Sequence, residues 1–231
     1  MNGGQPDALS ELNLSWLPVA VAFLPEPPAG LPRIERPAAA GCGYWRRASE
    51  GHSFYTMAED HYNCPVGAFT HGAELPADRT AELNGLVGSM ILLHYLRSDE
   101  VPTLPHRSQP LSYAAYAPLT DAAFPPDVVI FRGNARQVML LVEAARAAGA
   151  FEQGTAMGRP ACAAIPQSMA SREAVASVGC IGNRVYTGLD DNELYLVVPG
   201  SAVQQTLEQL AVIVAANREL ESFHRARAAA I

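Results

Sequence analysis

Four cysteines offer the most chemistry in this sequence of 231 residues. They are Cys42, Cys64, Cys162 and Cys180, separated by 21, 97 and 17 residues. No pair has the short C-x2-C spacing that makes a zinc assignment specific, so the spacing alone does not identify a metal. In a reducing compartment such cysteines are free, catalytic or metal-bound rather than joined in disulfides. Small buried thiols with a purely structural role are the alternative to a site.

The residues around the thiols are more informative than their spacing. Glycines flank Cys42 and Cys180, and Gly67 follows Cys64 by three positions. Glycine lets a backbone come close and direct N–H groups at sulfur, which stabilises a thiolate and tunes a metal cluster. Gly67 and Gly182 are therefore candidate cofactor contacts. Pro65 favours the first position of a helix, which would put Cys64 at the helix cap and lower the pKa of its thiol.

Histidines near Cys64 suggest a second kind of chemistry. His61 lies three residues before Cys64 and His71 seven after it, so either could act as a base toward a Cys64 nucleophile, with Asp60 orienting the imidazole of His61. Adjacent residues rarely face each other, so a polar loop or a supporting role around a metal is the alternative. His52 is a weaker candidate for a site residue.

Aromatic and arginine side chains could form a pocket beside the thiols. The segment 41–72 holds six aromatic residues that could line a small-molecule site or simply pack the loop: Tyr44, Trp45, Phe54, Tyr55, Tyr62 and Phe69. Of these six, we expect Tyr44 to contact a cofactor. The planar guanidinium of Arg184 could receive a carboxylate or phosphate, as could Arg46 or Arg47.

The cysteine motifs resemble a known family. The pattern Cys42…Cys64-Pro-x-Gly, then Cys162 and Gly179-Cys180-x-Gly-x-Arg184, is similar to that of the uncharacterised prokaryotic ArCR family, domain of unknown function 169. The resemblance extends over nearly the whole chain and is most specific at 64–72 and 179–184. It implies that the four cysteines form one shared site, and it brings no assigned reaction.

If the thiols converge, a [4Fe-4S] cluster is the leading ligand, because four soft thiolates suit iron and sulfide. Zinc in the same four-thiolate cage is the nearest competitor, and a site with two or three cysteines and a histidine is a third possibility. The main hypothesis is a redox or electron-transfer protein, which as an enzyme would be an iron–sulfur oxidoreductase, with a redox partner protein or a small-molecule ligand. A non-catalytic small-molecule or zinc-binding module and a thiol enzyme with Cys64 as nucleophile are the alternatives.

Composition excludes several other classes. Apolar residues make up 49% of the chain and charged residues 17%, which is typical of a well-buried domain. There is no lysine, so a Walker-type phosphate loop and Schiff-base chemistry are absent. The net charge of −7 argues against nucleic acid. No apolar run is long enough for a membrane span and no signal peptide is recognisable, so we expect a cytoplasmic protein with no membrane partner.

The order of predicted strands and helices indicates an α/β or α+β fold with a mixed sheet, and these elements must position the thiols. We expect a flexible segment 1–12 and a single domain 13–231, in which a site-forming loop region 41–72 is closed by 160–187. Residues 17–24 form a buried strand, and 78–97 an amphipathic helix with Asp78 as N-cap and His94 on its apolar face. Residues 98–126 are mostly irregular.

Two later segments look like related strand–Gly–helix units, beginning at Val128 and Tyr195. In each, a capping box is expected, from Asn134 with Gln137 and from Ser201 with Gln204. Between them we expect a strand at 160–165, a helix at 168–179 and a strand at 184–187. A long helix from Val203 to about Arg227 ends the chain.

Overall fold

A seven-stranded mixed β-sheet organises the computed structural model, which describes residues 8–229. The strand order is β2-β3-β1-β4-β7-β6-β5, and all neighbours are antiparallel except β5 and β6. The strands are β1 (Val19–Leu24), β2 (Phe54–Met57), β3 (Tyr113–Pro118), β4 (Val128–Asn134), β5 (Ala156–Met157), β6 (Val175–Ser177) and β7 (Glu193–Pro199). The expected α/β fold with a mixed sheet is confirmed.

Eight α-helices accompany this sheet within the described range. They are α1 (Ala8–Leu12), α2 (Cys42–Ser49), α3 (Pro65–Thr70), α4 (Ala77–Leu92), α5 (Ala135–Ala147), α6 (Ala164–Ser171), α7 (Ile181–Thr187) and α8 (Gly200–Ala229). Short 3-10 helices occur at Ala58–His61, Ser98–Thr103, Leu119–Asp121 and Ala161–Ala163. None of the helices between residues 8 and 229 combines the length and apolar composition that crossing a bilayer requires.

Both faces of the sheet are covered, because alternate residues of the central strands are buried on opposite sides. Ile130 and Val197 belong to one core cluster, whereas Phe131 and Leu196 belong to the other. The second cluster is formed with α5 and α8. The first is formed with α2, α3 and α6 and includes two cysteines, so the thiols lie on that face.

The two strand–helix units are present and lie side by side. β4 leads into α5 and β7 into α8, and the two strands pair along their whole length. Asn134 caps α5 as expected: its side chain accepts from Gln137 N at 3.0 Å, and Gln137 Oε1 accepts from Asn134 N at 2.8 Å. The second capping box was a wrong prediction, because α8 begins at Gly200 and Ser201 is already inside it.

Three other sequence predictions between the units were wrong. The expected strand at 160–165 is a 3-10 helix that continues into α6. The expected helix at 168–179 is wrong because α6 ends at Ser171 and the short strand β6 follows. The expected strand at 184–187 is the second half of α7. Short apolar runs such as ACAAI do not distinguish a buried helix from a buried strand. The difference matters because it puts two cysteines at helix starts.

The segment around α4 also differs from expectation. The helix begins after Pro76, so Asp78 lies in its first turn rather than at the cap, and it ends at Leu92. His94 follows the helix with a φ of 55° and is exposed, so it is not a core histidine. Within 98–126 the strand β3 was missed. Of the expected flexible segment 1–12, residues 8–12 form α1 and residues 1–7 lie outside the described range.

Candidate cysteine centre

Each of the four cysteines lies at the start of a helix. Cys42 is the first residue of α2, Cys64 is the N-cap of α3 with Pro65 at the first helical position, and Cys180 is the N-cap of α7. Cys162 lies in the 3-10 helix that runs into α6. The unpaired N–H groups of a helix start favour negative charge, so all four positions suit a thiolate. The Cys64 cap was predicted; the other three placements were not.

The thiols share one region of the molecule. Burial first, and then the charges of Cys64 and Cys180, raise the pKa of Cys42 to about 12. Burial also raises the pKa of Cys162, followed by the charges of the other three cysteines. Such mutual effects require the four sulfurs to lie within electrostatic range of one another. All four are free thiols.

Contacts between helices bring the four segments together. Helix α2 packs against α7, and α3 packs against the 3-10 helix that contains Cys162. Residues 41–72 therefore meet residues 160–187. The interior pair, Cys42 and Cys162, is buried, whereas Cys64 and Cys180 are partly exposed.

The four thiols would offer a metal a donor set of one kind. No group of three or more His, Cys, Asp or Glu side chains within the described residues is arranged to hold a metal ion. One tetrahedral ion with bonds of about 2.3 Å would require sulfurs about 4 Å apart. A four-iron cluster would take the same four thiolates across a wider cage.

Gly67 and Gly182 differ in how closely they approach the thiols. A methyl group at Gly67 would lie 3.1 Å from Cys64 Sγ, so glycine leaves the space that this sulfur occupies. A methyl group at Gly182 would meet Tyr186 at 3.7 Å, which is an ordinary contact. Gly67 thus shapes the cluster, whereas no close contact requires a glycine at 182.

Two polar residues beside the thiols were missed by sequence reasoning. Asn183 donates its backbone N–H to Cys180 Sγ at 3.4 Å, and its side chain lowers the pKa of Cys42. Thr70 similarly lowers the pKa of Cys162. Asn183 is only 2% exposed, and its amide oxygen is unpaired within the described residues. Its position three residues after Cys180, at the third helical position, was the available signal.

The histidines do not form the expected base–nucleophile pair. His61 Nε2 lies 2.9 Å from Thr56 Oγ1, and the carboxylate of Asp60 accepts from Arg33 and from the backbone of Met57. His61 and His71 are buried with their rings 5.7 Å apart. No hydrogen bond within the described residues joins either ring to a cysteine. His52 is exposed.

Most of the aromatic residues of 41–72 pack the loop. Tyr44, Trp45 and Phe54 are buried in the core, and the Tyr44 hydroxyl donates to Asp60 O at 2.5 Å. Tyr44 therefore fixes the loop rather than facing a pocket. Tyr62 differs: together with Leu75, it lines a surface cavity of about 460 Å³.

Arg184 acts as a clamp on α7. Its guanidinium donates to Val178 O at 2.9 Å, before Cys180, and to Asp190 O at 2.8 Å, after the helix. The planar fork is occupied by carbonyls and is not free for a ligand. Arg184 instead holds the loop that presents Cys180.

Comparison with known proteins gives one match. The model of the DUF169 family, described as Uncharacterised ArCR, matches residues 9–209. No curated protein and no solved structure matches the chain.

Proposed function

The chain belongs to the DUF169 family, and we propose that it carries a four-cysteine metal centre, an iron–sulfur cluster, that serves redox chemistry or electron transfer beside a small-molecule pocket. The family description names no reaction, so the proposal is argued from the thiols. The ligands are Cys42, Cys64, Cys162 and Cys180. The observation that carries it is that Cys42, Cys64 and Cys162 pack in one core cluster, and that α7, which Cys180 caps, packs against α2.

Asn183 favours the thiolate form at two of these positions. Its backbone N–H donates to Cys180 Sγ at 3.4 Å, and its side chain lowers the pKa of Cys42. Burial opposes ionisation of Cys42 and Cys162, which leaves these thiols poorly suited to act as free nucleophiles. A positive partner bound among them removes this conflict, which favours a metal site over unbound thiols at the two buried positions.

When bound, a cluster of this kind accepts and donates single electrons. The side of the site that contains Cys64 and Cys180 reaches the surface, and Ile181 and Val185 on α7 are exposed there, at 69% and 71%. A redox partner protein would approach at this side. The cavity lined by Tyr62, two residues before Cys64, is the proposed place for a small molecule.

Anaerobic purification and reconstitution with iron and sulfide test the proposal. We expect a brown protein with broad absorption near 400 nm, typical of thiolate-bound iron–sulfur clusters, and about four irons and four sulfides per chain. Each single Cys→Ser variant should lose most of the colour, while His52→Gln, at an exposed site, should retain it. Circular dichroism spectra would show that the variants are folded.

Other outcomes identify the alternatives. Zinc at one per chain, bound without colour and lost in the same four variants, would replace the cluster by a zinc site. Alkylation of Cys64 alone by iodoacetamide, with activity lost in that variant only, would indicate a thiol enzyme. Protein that binds neither metal after reconstitution would overturn the proposal and leave structural cysteines in a non-catalytic module.

A further inference from the structure

A small group of polar side chains is buried beside the cysteines without a role in the proposed centre. It consists of His71, Arg107 and Tyr116, called here the His71 group. Phe23 links its members: the His71 ring packs edge-on at 5.5 Å from the ring of Phe23, and the Arg107 guanidinium lies 4.1 Å from the same ring. Tyr116 is paired with Val21 across β1 and β3, so it lies diagonally next to Phe23 on one face of the sheet.

Several polar atoms of this group have no hydrogen-bond partner within the described residues. They are both ring nitrogens of His71 and the hydroxyl of Tyr116, and both side chains are 0% exposed. A buried polar atom without a partner is costly, so native proteins provide one from the protein, from water or from a ligand. Three such atoms in one neighbourhood favour a polar ligand there.

Arg107 adds a positive charge to the same place. Its side chain is half-buried, and Nη1 donates to His71 O at 3.0 Å. Asp127 acts on it through charge alone, and the carboxylate of Asp127 already accepts from Phe23 N at 2.7 Å. Burial lowers the pKa of Arg107, which shows that its charge is poorly solvated. Water could satisfy the donors, but it would not balance this charge.

We propose that the His71 group binds a small anion, a carboxylate or an inorganic oxyanion, next to the cysteine centre. The guanidinium of Arg107 would hold the charge, and an N–H of His71 and the hydroxyl of Tyr116 would donate hydrogen bonds. His71 stays neutral, because burial lowers its pKa, and a neutral imidazole keeps one N–H donor. Tyr116 and Cys162 belong to the same buried core cluster, so the anion would lie on the cysteine side of the sheet.

The inference adds an anion site that is separate from the cavity lined by Tyr62, and it does not require the metal. It is therefore tested on metal-free protein, where failure to bind iron does not affect the result. Formate, acetate, nitrite and phosphate are titrated against the protein by calorimetry and thermal shift at constant ionic strength set with chloride. We expect saturable binding of one of them, and the set separates carboxylates from inorganic oxyanions.

Two variants and a matched control make the site specific. Tyr116→Phe removes one hydroxyl and keeps the ring, and Arg107→Gln removes the charge; each should weaken binding at least tenfold. Tyr113→Phe, on the same strand, should leave it unchanged. Acetamide, the neutral analogue of acetate, should not bind. Absence of saturable binding by all four anions, equal affinity in Arg107→Gln, or equal binding of acetamide would overturn the proposal.

Discussion

Gly67 leaves room for the sulfur of Cys64 at the candidate centre. Gly67→Ala would place a methyl group 3.1 Å from Cys64 Sγ, and the sulfur must move to accept it. We expect this variant to bind less than half as much iron on reconstitution. Alanine is about 1 kcal/mol better than glycine inside a helix, so the fold should not weaken.

Gly182→Ala is the matched control for this substitution. It is also a helical glycine beside a cysteine, but its methyl group would meet Tyr186 at an ordinary 3.7 Å. Iron content after reconstitution should be unchanged. Equal iron loss in both variants would mean that helix geometry, rather than space for sulfur, determines the effect.

The buried histidines make the metal-free protein sensitive to acid. Burial lowers the pKa of His61 to about 4 and that of His71 well below its usual value. Below about pH 6.5 the histidines bind protons in the unfolded chain but not in the folded state. The free energy of unfolding is therefore highest above that pH and falls toward pH 4. For His61 alone the loss is about 3 kcal/mol.

Urea unfolding between pH 7.5 and 4.5 checks this expectation. In His61→Gln an amide replaces the ring nitrogen that faces Thr56, and the free energy of unfolding should depend less steeply on pH. His52→Gln, at an exposed site, should behave as the wild type does. The same slope in all three proteins would contradict the assignment.

For single residues, the sequence predicted the local structure only where the residue type constrains its own backbone. Pro65 favours a helix start, so the Cys64 cap could be predicted. The capping box of Asn134 and Gln137 is likewise a local pattern. The burial of His71 and Tyr116 depends on strands and loops that are distant in sequence. No local sequence pattern predicts that these two residues come together in the folded chain.

Helix α7 is held at both ends, and this determines where Cys180 lies. Beyond the Arg184 clamp, the buried pair Arg132–Glu193 ties β4 and β7 to the end of α7, because Arg132 Nη1 donates to Thr187 O at 3.2 Å. Glu193→Gln would leave Arg132 as a buried charge without its partner. Removing one member of such a pair costs about 3–5 kcal/mol.

Urea unfolding of the metal-free protein measures this loss. Glu208→Gln changes the same side chain at an exposed site on α8, and it should cost less than about 0.5 kcal/mol. The double variant Arg132→Met/Glu193→Leu should recover much of the loss, because no charge is then buried. A Glu193→Gln protein as stable as Glu208→Gln would show that the pair contributes little.

The turn before Cys180 depends on a glycine for two reasons. Gly179 has a φ of +76°, and a methyl group there would lie 2.5 Å from Leu189 Cδ2. Gly179→Ala therefore meets backbone strain of about 1–2 kcal/mol and a steric overlap. We expect a lower thermal midpoint and less bound iron after reconstitution.

Gly188→Ala separates these two causes. Gly188 has a similar φ of +64° but nothing within 4 Å of its added methyl group, so it should show the strain alone. We expect Gly179→Ala to destabilise the protein about twice as much. Equal losses in the two variants would remove Leu189 from the explanation.

The elements were predictable where they were long and apolar. Three strands, β1, β4 and β7, have clear patterns, as do α5 and α8, which follow the last two of them, and these predictions were confirmed. β3 was missed because its core is rich in alanine and lies in a proline-rich segment, and α7 was mistaken in part for a strand because seven residues show no clear period. The short elements are the ones that carry cysteines, so the sequence was weakest at the site itself.

In the whole molecule, the proposed centre would join both halves of the chain. Cys42 and Cys64 belong to the segments around β2, whereas Cys162 and Cys180 lie near β5 and β6, at the opposite end of the strand order. A group bound by all four would connect positions that the unfolded chain keeps far apart. Binding to the folded state alone stabilises it by mass action.

We therefore expect reconstituted protein to melt about 5–10 °C above the metal-free form, since about 1 kcal/mol shifts the midpoint of a chain of this size by about 2–4 °C. Anaerobic calorimetry before and after treatment with a chelator measures the difference. Each Cys→Ser variant should melt at the same temperature with and without iron and sulfide. An unchanged wild-type midpoint on reconstitution would contradict a link across the fold.

Helix α4 is a suitable place at which to divide the chain into two fragments. None of its side chains is buried in the described structure. In the sequence it lies between the segment that contains Cys42 and Cys64 and the segment that contains Cys162 and Cys180. Cutting the gene at α4 would yield two fragments with two thiols each, and β1 of the first pairs with β3 and β4 of the second. Neither fragment alone would supply the full ligand set, so brown colour on mixing would report their reassembly.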